Sequence, residues 1–208
     1  MSIPKEPVCK ICRRERQKLF LKGQRCFTDK CSFERKPYLP GQRPKTRLIE
    51  TEFYAQLREK QKAKRYYGVL ERQFRNYYKK AVRRRGITGE ILLQLLETRL
   101  DNVVYLMGFA MSRAQAKQLI SHGHIMVDGE KVDIPSYQVK EGQEISVAPK
   151  SREILPVLEA KESGGSLTPP AWLEVNLEEL KGKVLRLPTR EEIKAPVDER
   201  MIVELYSK

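Results

Sequence analysis

The chain has 208 residues, of which 41 are lysine or arginine and 27 are aspartate or glutamate, so its formal net charge is +14. Hydrophobic residues make up 40% of the chain, which is enough for the cores of one or two domains. The longest apolar run is too short to span a bilayer, and the first residues lack the apolar stretch of a signal peptide. We therefore expect a soluble, unexported protein without a membrane partner.

The positive charge is concentrated in the first half of the chain. The net charge is +9 over residues 1–50, +8 over 51–100, −1 over 101–150 and −2 over 151–208. Such a half repels itself unless a polyanion neutralises it, and nucleic acid is the usual polyanion in cells. An acidic membrane surface is an alternative partner, but it usually requires an apolar helix face or a lipidation signal. Charge asymmetry therefore favours nucleic-acid binding.

Four cysteines lie close together near the front of the chain. Cys9 and Cys12 form a Cys-x-x-Cys pair, and Cys26 and Cys31 follow after thirteen residues. Four thiolates at such spacing suit one zinc ion, and because all four ligands come from the protein, the site would be structural. The alternatives are two disulfides, which belong to exported proteins, and four unrelated free thiols. The spacing favours one structural Zn²⁺ in a segment that metal holds folded.

Helical signals fill the middle of the chain. Thr51 is a typical N-cap, and a helix is expected from there to about Tyr66. Glu71 begins a second helix that ends in an arginine run, where cations favour the helix dipole and three arginines exceed what capping needs. Ser112 caps a later helix. The predicted helices after the first cover residues 71–85, 88–106 and 113–121.

Strand signals begin after residue 121. Two apolar-leaning runs flank Asp128-Gly129, which is a strong signal for a tight hairpin. Residues 161–170 read as a surface loop, and residues 197–206 fit either a helix or a strand. Further short strands are predicted at residues 144–147, 172–175 and 183–187.

The segment from Glu97 to Tyr137 carries a recognisable string. Its parts Glu97–Tyr105, Ser112–Ile120 and His122–Ile125 closely resemble the S-four RNA-binding domain. Upstream, the strings Pro40-Gly41-Gln42, Leu57–Lys62, Tyr67-Gly68 and Glu71–Arg75 resemble the remainder of the small-subunit ribosomal proteins of the S-four family, and the four cysteines resemble its zinc-bearing members.

This resemblance implies an α+β fold in three parts. A basic zinc-binding segment would cover residues 1–45, and a helical RNA-binding domain would cover 46–96, which 196–208 can join. A small α-L-type RNA-binding domain with an antiparallel sheet would cover 97–195.

The resemblance also implies a function. The protein would bind small-subunit ribosomal RNA directly at a helix junction of the 5′ domain, nucleate assembly, lie near the mRNA entry path and influence translational accuracy. Its partners would be ribosomal RNA, nearby mRNA and neighbouring proteins of the S-three and S-five families in the cytoplasmic ribosome. It would have neither enzymatic activity nor a small-molecule substrate. The alternative is an RNA-modifying enzyme or a ribosome-associated stress factor with the same domain.

Candidate RNA contacts come from the resemblance and from the charge. Helix geometry places Arg113 and Lys117 on one face, next to the free N–H groups of a helix start. The resemblance implies contacts by Arg99, Asn102, Arg113, Gln115, Lys117 and His122. The basic half adds Arg13, Arg14, Lys22, Arg25, Arg43, Lys45, Arg47, Arg58, Lys60, Lys62, Arg65, Arg72, Arg75, Arg83, Arg84 and Arg85.

Overall fold

The computed structural model describes residues 7–41, 51–162 and 168–207, and its fold class is α+β, as predicted. The helices in chain order are α1 (Val8–Arg14), α2 (Ser32–Arg35), α3 (Glu52–Tyr66), α4 (Glu71–Val82), α5 (Thr88–Glu97), α6 (Leu100–Leu106), α7 (Arg113–Ser121), α8 (Leu155–Glu162) and α9 (Glu199–Ser207). The strands are β1 (Ile125–Val127), β2 (Glu130–Lys131), β3 (Glu144–Val147), β4 (Leu173–Asn176) and β5 (Lys181–Val184).

The chain divides into two compact units. The helical unit consists of Met1–Leu92 with Ala195–Lys208, and the sheet unit consists of Leu93–Lys194. The predicted three-part division of the chain into domains stays a prediction.

Two predicted helix starts are confirmed by their side-chain caps. The Thr51 hydroxyl accepts a hydrogen bond from the Tyr54 N–H at 3.2 Å and begins α3. The Ser112 hydroxyl accepts one from the Gln115 N–H, also at 3.2 Å, and begins α7. Each cap satisfies one of the N–H groups that the first turn of a helix leaves without a partner.

In the helical unit, the last helix returns to the first half of the chain. Helix α9 packs against α3, and Tyr206 stacks on Tyr78 with 4.5 Å between ring centroids. An apolar cluster joins Ile11 and Leu19 to Tyr66 of α3. Both residues lie in the cysteine segment, which we define as residues 9–31. Residues 197–206, which the sequence leaves open between helix and strand, therefore contribute a helix to this unit.

The sheet unit is built on five antiparallel strands in the order β2-β1-β3-β5-β4. The predicted hairpin is confirmed, because β1 and β2 pair around Asp128 (φ +51°) and Gly129 (φ +82°). Two positive φ angles are the geometry of a type I′ turn, which Asp-Gly adopts readily. The predicted strands near 144, 173 and 183 are confirmed as β3, β4 and β5, and their inner faces pack with α6 and α7 around Trp172.

The sequence predicts one helix over 88–106, and this prediction is wrong. The helix breaks between α5 and α6, where the Leu100 N–H donates to the Tyr137 carbonyl at 2.9 Å and the Asp101 N–H to the Pro135 carbonyl at 3.1 Å. A segment more than thirty residues away has replaced the partners that a continuous helix would supply, so tertiary contacts override the helical periodicity.

Some features of the chain were not predicted or lie outside the description. Helix α8 has no counterpart in the sequence-based prediction. The middle of the predicted loop 161–170 falls on residues 163–167, which lie outside the described residues. Every helix within the described ranges is too short or too polar to cross a membrane.

Candidate nucleic-acid interface

Helix α4 presents a row of cations on one face. Phe74, Tyr77 and Ala81 are buried, which turns the other side of the helix outward. On that side, basic residues recur at positions i, i+3, i+7 and i+11, a spacing that aligns them along the axis. We call this exposed row the α4 basic stripe, and it consists of Arg72, Arg75, Lys79 and Arg83.

The end of α4 extends this stripe. Arg84 and Arg85 follow directly and are exposed. Within the residues that the structure describes, no ion pair or hydrogen bond engages the side chains of the stripe or of these two arginines. Their charges are therefore available to an external polyanion. Sequence reasoning missed Lys79, although its spacing from Arg72 and Arg75 is a signal that would have found it.

The cations of α3 are placed differently, because most of them pair with acidic groups of the protein. Arg58 and Arg65 both contact Glu15, with 2.8 Å from Arg65 Nη1 to Glu15 Oε1, and the Glu15 side chain is only 1% exposed. A nearly buried carboxylate is costly unless cations and hydrogen bonds compensate it. The predicted phosphate contacts of Arg58 and Arg65 therefore compete with an internal role.

The three lysines of α3 are also engaged by carboxylates. Lys60 Nζ lies 2.8 Å from a Glu71 oxygen, and Lys62 Nζ lies 2.6 Å from Glu59 Oε1. Burial raises the pKa of Glu71, but hydrogen bonds from Lys60 and Lys64 outweigh burial and hold this pKa below its ordinary value. The acidic partner at the start of α4 thus stays charged and ties α3 to α4.

The cysteine segment carries both engaged and exposed cations. Arg13 Nε donates to the Tyr38 carbonyl at 2.9 Å, and its guanidinium lies 4.7 Å from the Tyr38 ring centroid. Arg14 donates to the Pro40 carbonyl at 3.3 Å but is itself exposed, as are Lys22 and Arg25. The predicted contacts Arg43, Lys45 and Arg47 lie outside the described residues.

In the sheet unit, the start of α7 gathers several of the predicted contacts. Arg113 is half-buried, and its guanidinium lies 4.5 Å from the Tyr105 ring centroid. Gln115 turns back and accepts a hydrogen bond from the Met111 N–H at 2.6 Å. Burial lowers the pKa of Lys117, Asp101 opposes this effect and Arg99 adds to it. His122 is exposed at the other end of the helix.

Two predicted RNA contacts need correction, because the structure places Arg99 and Asn102 inside the sheet unit. Each is 1% exposed. Arg99 Nη2 lies 2.5 Å from Asp101 Oδ2, and Arg99 Nε donates to Asp101 Oδ1 at 3.0 Å. These distances describe a bidentate pair that fixes the break between α5 and α6 rather than a surface group.

The four cysteines surround one small pocket. Cys12, Cys26 and Cys31 are buried, Cys9 is partly exposed, and none is in a disulfide. Burial raises the pKa of Cys12 and of Cys26, and neighbouring cysteines raise both further. A cation among them would reverse this effect by stabilising thiolates, so the donor set suits zinc.

The arrangement of these side chains leaves the zinc prediction open. In the parts of the chain that the structure covers, no group of three or more His, Cys, Asp or Glu side chains is arranged to hold a metal ion. The cysteines converge in space, as the spacing predicts, but zinc itself stays a prediction.

Comparison with known proteins covers nearly the whole chain. Residues 4–97 match the family model described as the ribosomal protein S4/S9 N-terminal domain, and residues 98–145 match that of the S4 domain. Small ribosomal subunit protein uS4 of Natranaerobius thermophilus is 58% identical over 203 residues, 97% of each chain. That of Halothermothrix orenii is 55% identical over 208 residues, all of both chains, and uS4A of Clostridium botulinum is 58% identical over 200 residues, 96% of each.

Proposed function

The chain belongs to the family of small ribosomal subunit protein uS4, and from that premise we propose that its unpaired surface cations bind it to folded RNA of the small subunit. It is a structural component of the ribosome, located in the cytoplasm as bacterial ribosomes are, and it is not an enzyme. The observation that carries the RNA-binding mode is the α4 basic stripe with Arg84 and Arg85, whose charges have no partner among the described residues.

The chemistry of this surface suits RNA shape rather than base sequence. Guanidinium groups bind phosphate oxygens in a bidentate manner, and each neutralised phosphate releases counterions. Double-stranded RNA offers phosphates and 2′-hydroxyls to such a surface, while most of its base edges are hidden. A row of cations about 17 Å long, at 1.5 Å per residue over eleven residues, matches several successive phosphates.

Binding to transcribed small-subunit ribosomal RNA tests this mode. A triple variant with Arg83→Gln, Arg84→Gln and Arg85→Gln should bind at least about tenfold more weakly, and its salt slope should fall by about two to three, one neutralised phosphate per arginine. The matched control removes three exposed cations of the sheet unit, with Lys150→Gln, Arg152→Gln and Lys183→Gln. Equal losses in both triple variants would show that only total charge matters and would contradict the proposed surface.

We further propose that Cys9, Cys12, Cys26 and Cys31 hold one structural zinc ion. Its support is that four cysteines without a disulfide line one pocket. When bound, the ion would supply a cross-link between α1 and the loop that follows it, so removing it should loosen this segment.

Elemental analysis of the protein purified without added metal should find one zinc per chain. Cys26→Ser should lose the metal and increase protease cleavage within residues 7–41, whereas Ser32→Ala, which keeps every thiol, should change neither. Metal-free protein with two disulfides would overturn the zinc proposal.

The remaining features come from the resemblance to the S-four family and are proposals as well. The protein would bind at a helix junction of the 5′ domain, nucleate assembly, lie near the mRNA path beside proteins of the S-three and S-five families, and influence accuracy. Residues 1–45, 46–96 and 97–195 would act as separate domains. Crosslinking in cells followed by RNA sequencing and mass spectrometry tests the RNA and protein neighbours, and crosslinks confined to other ribosomal RNA domains would contradict them.

A further inference from the structure

Asn102 is a buried, uncharged residue between three helices of the sheet unit. It lies on α6, just after the Arg99–Asp101 pair, and its own N–H donates to Asp101 Oδ1 at 3.0 Å. Only 1% of its surface is exposed, so it does not itself face a ligand. Its position next to the first residue of α7 suggests an indirect role.

The Asn102 side chain donates one hydrogen bond and accepts another. Its Nδ2 donates to the Glu97 carbonyl at 2.8 Å, and its Oδ1 accepts from Arg113 Nε at 2.7 Å. A primary amide both donates and accepts, and the donor side fixes which way the acceptor points. Because the last residue of α5 holds the amide, the oxygen presented to Arg113 has one orientation.

Arg113 is held from a second direction as well. Its guanidinium lies 4.5 Å from the ring centroid of Tyr105, which is itself 5% exposed. A guanidinium stacked on an aromatic ring and bonded through Nε has lost most of its rotamer freedom before any ligand arrives. A pre-organised cation loses less entropy when it binds a phosphate, and its contact is therefore tighter.

We propose that Asn102 is a positioning residue for RNA binding: it acts through Arg113 by holding the guanidinium in the orientation that meets a phosphate. This inference rests on the proposed function, because it requires that the start of α7 faces RNA. It changes the role of Asn102 from an RNA contact to a support for one.

A double-mutant cycle on the full chain, with transcribed small-subunit ribosomal RNA as the probe, tests this role. Arg113→Ala should weaken binding about tenfold and lower the salt slope by about 0.7–0.9, the loss of one phosphate contact. Asn102→Ala should weaken binding about three- to tenfold and also lower the salt slope, although it removes no charge. In the Arg113→Ala background, Asn102→Ala should have no further effect.

The salt slope separates positioning from other roles. A direct hydrogen bond from Asn102 to RNA would weaken binding equally in both backgrounds and leave the slope unchanged, and that result would overturn the proposal. Gln118→Ala, which truncates an exposed amide on α7, is the matched control and should change neither quantity. Fluorescence of Trp172, which lies in the core of the same unit, verifies that each variant is folded.

A second variant keeps the test decisive if Asn102→Ala does not fold. Arg113→Lys retains the charge but removes the Nε donor and the planar stack, so it should bind about as weakly as Arg113→Ala. Binding equal to that of the unmodified protein would overturn the proposal. Failure of the unmodified protein to bind the RNA at all would instead refute the proposed function, so the two failures are distinguishable.

Discussion

Replacement of Asp101 by alanine should destabilise the sheet unit strongly. Arg99 and Asp101 form a bidentate ion pair, and the two residues are 1% and 3% exposed. The substitution leaves a buried guanidinium without this carboxylate. It also removes one of the two acceptors of the Asn102 N–H, which keeps its hydrogen bond to the Arg99 carbonyl. Breaking a buried pair from one side costs about 3–5 kcal/mol, because the remaining charge stays desolvated.

Urea unfolding followed by tryptophan fluorescence measures this loss in the relevant unit. Trp172 is the only tryptophan, is fully buried and belongs to the same core as Leu100 and Val103, so its emission reports on the sheet unit. With a urea dependence of about 1–1.5 kcal/mol per molar for a unit of this size, the midpoint should fall by roughly 2–5 M. Asp133→Ala removes an exposed carboxylate and is the control. It should change the free energy of unfolding by no more than about 0.5 kcal/mol.

A double variant separates charge burial from lost packing. Arg99→Met combined with Asp101→Ala removes both charges, and replacing a whole buried pair by apolar groups is far less costly than removing one partner. The double variant should therefore be more stable than Asp101→Ala alone. A midpoint shift below about 0.5 M for Asp101→Ala, or a double variant as unstable as the single one, would refute this reasoning.

Three further measurements test other parts of the molecule. Tyr206→Ala removes the stack on Tyr78 and the hydrogen bond to Glu71, so the helical unit should lose about 2 kcal/mol of stability. Thermal melting followed by circular dichroism measures this loss, and an unchanged melt would contradict the packing of α9. The hydrogen bonds from Arg186 lower the pKa of Glu192 to about 2. The ionised Glu192 side chain therefore stabilises the folded protein fully above pH 4.5, its ordinary pKa, and this stabilisation is lost as the pH falls towards 2. Arg186→Gln should return this pKa towards 4.5 in an NMR titration, and an unmoved titration would exclude the ion pair as the cause. RNA affinity should fall by about 10³-fold or more from 50 to 200 mM salt if six phosphates are neutralised, whereas a flat dependence would refute phosphate contact.

Sequence reasoning succeeded where structure depends on neighbouring residues. The starts of α3 and α7 follow from Thr51 and Ser112, because each cap bonds an N–H three residues away. The hairpin follows from Asp128-Gly129, whose backbone angles suit the turn without strain. The charge of each segment and the gathering of the cysteines also follow from order and spacing along the chain.

Contacts between residues distant in sequence determined the features that sequence reasoning missed or left open. The helix is interrupted between α5 and α6 because the Pro135 and Tyr137 carbonyls accept hydrogen bonds from the start of α6. The local sequence does not predict these contacts. Helix α9, which begins at Glu199, packs against α3 from more than 130 positions away in the sequence.

The availability of each cation was likewise decided by tertiary contacts. Arg58 and Arg83 look alike in sequence, yet the first neutralises the buried Glu15 and the second remains on an open helix face. Net charge is a property of composition, whereas the charge that a partner meets depends on which carboxylates the fold buries beside each cation.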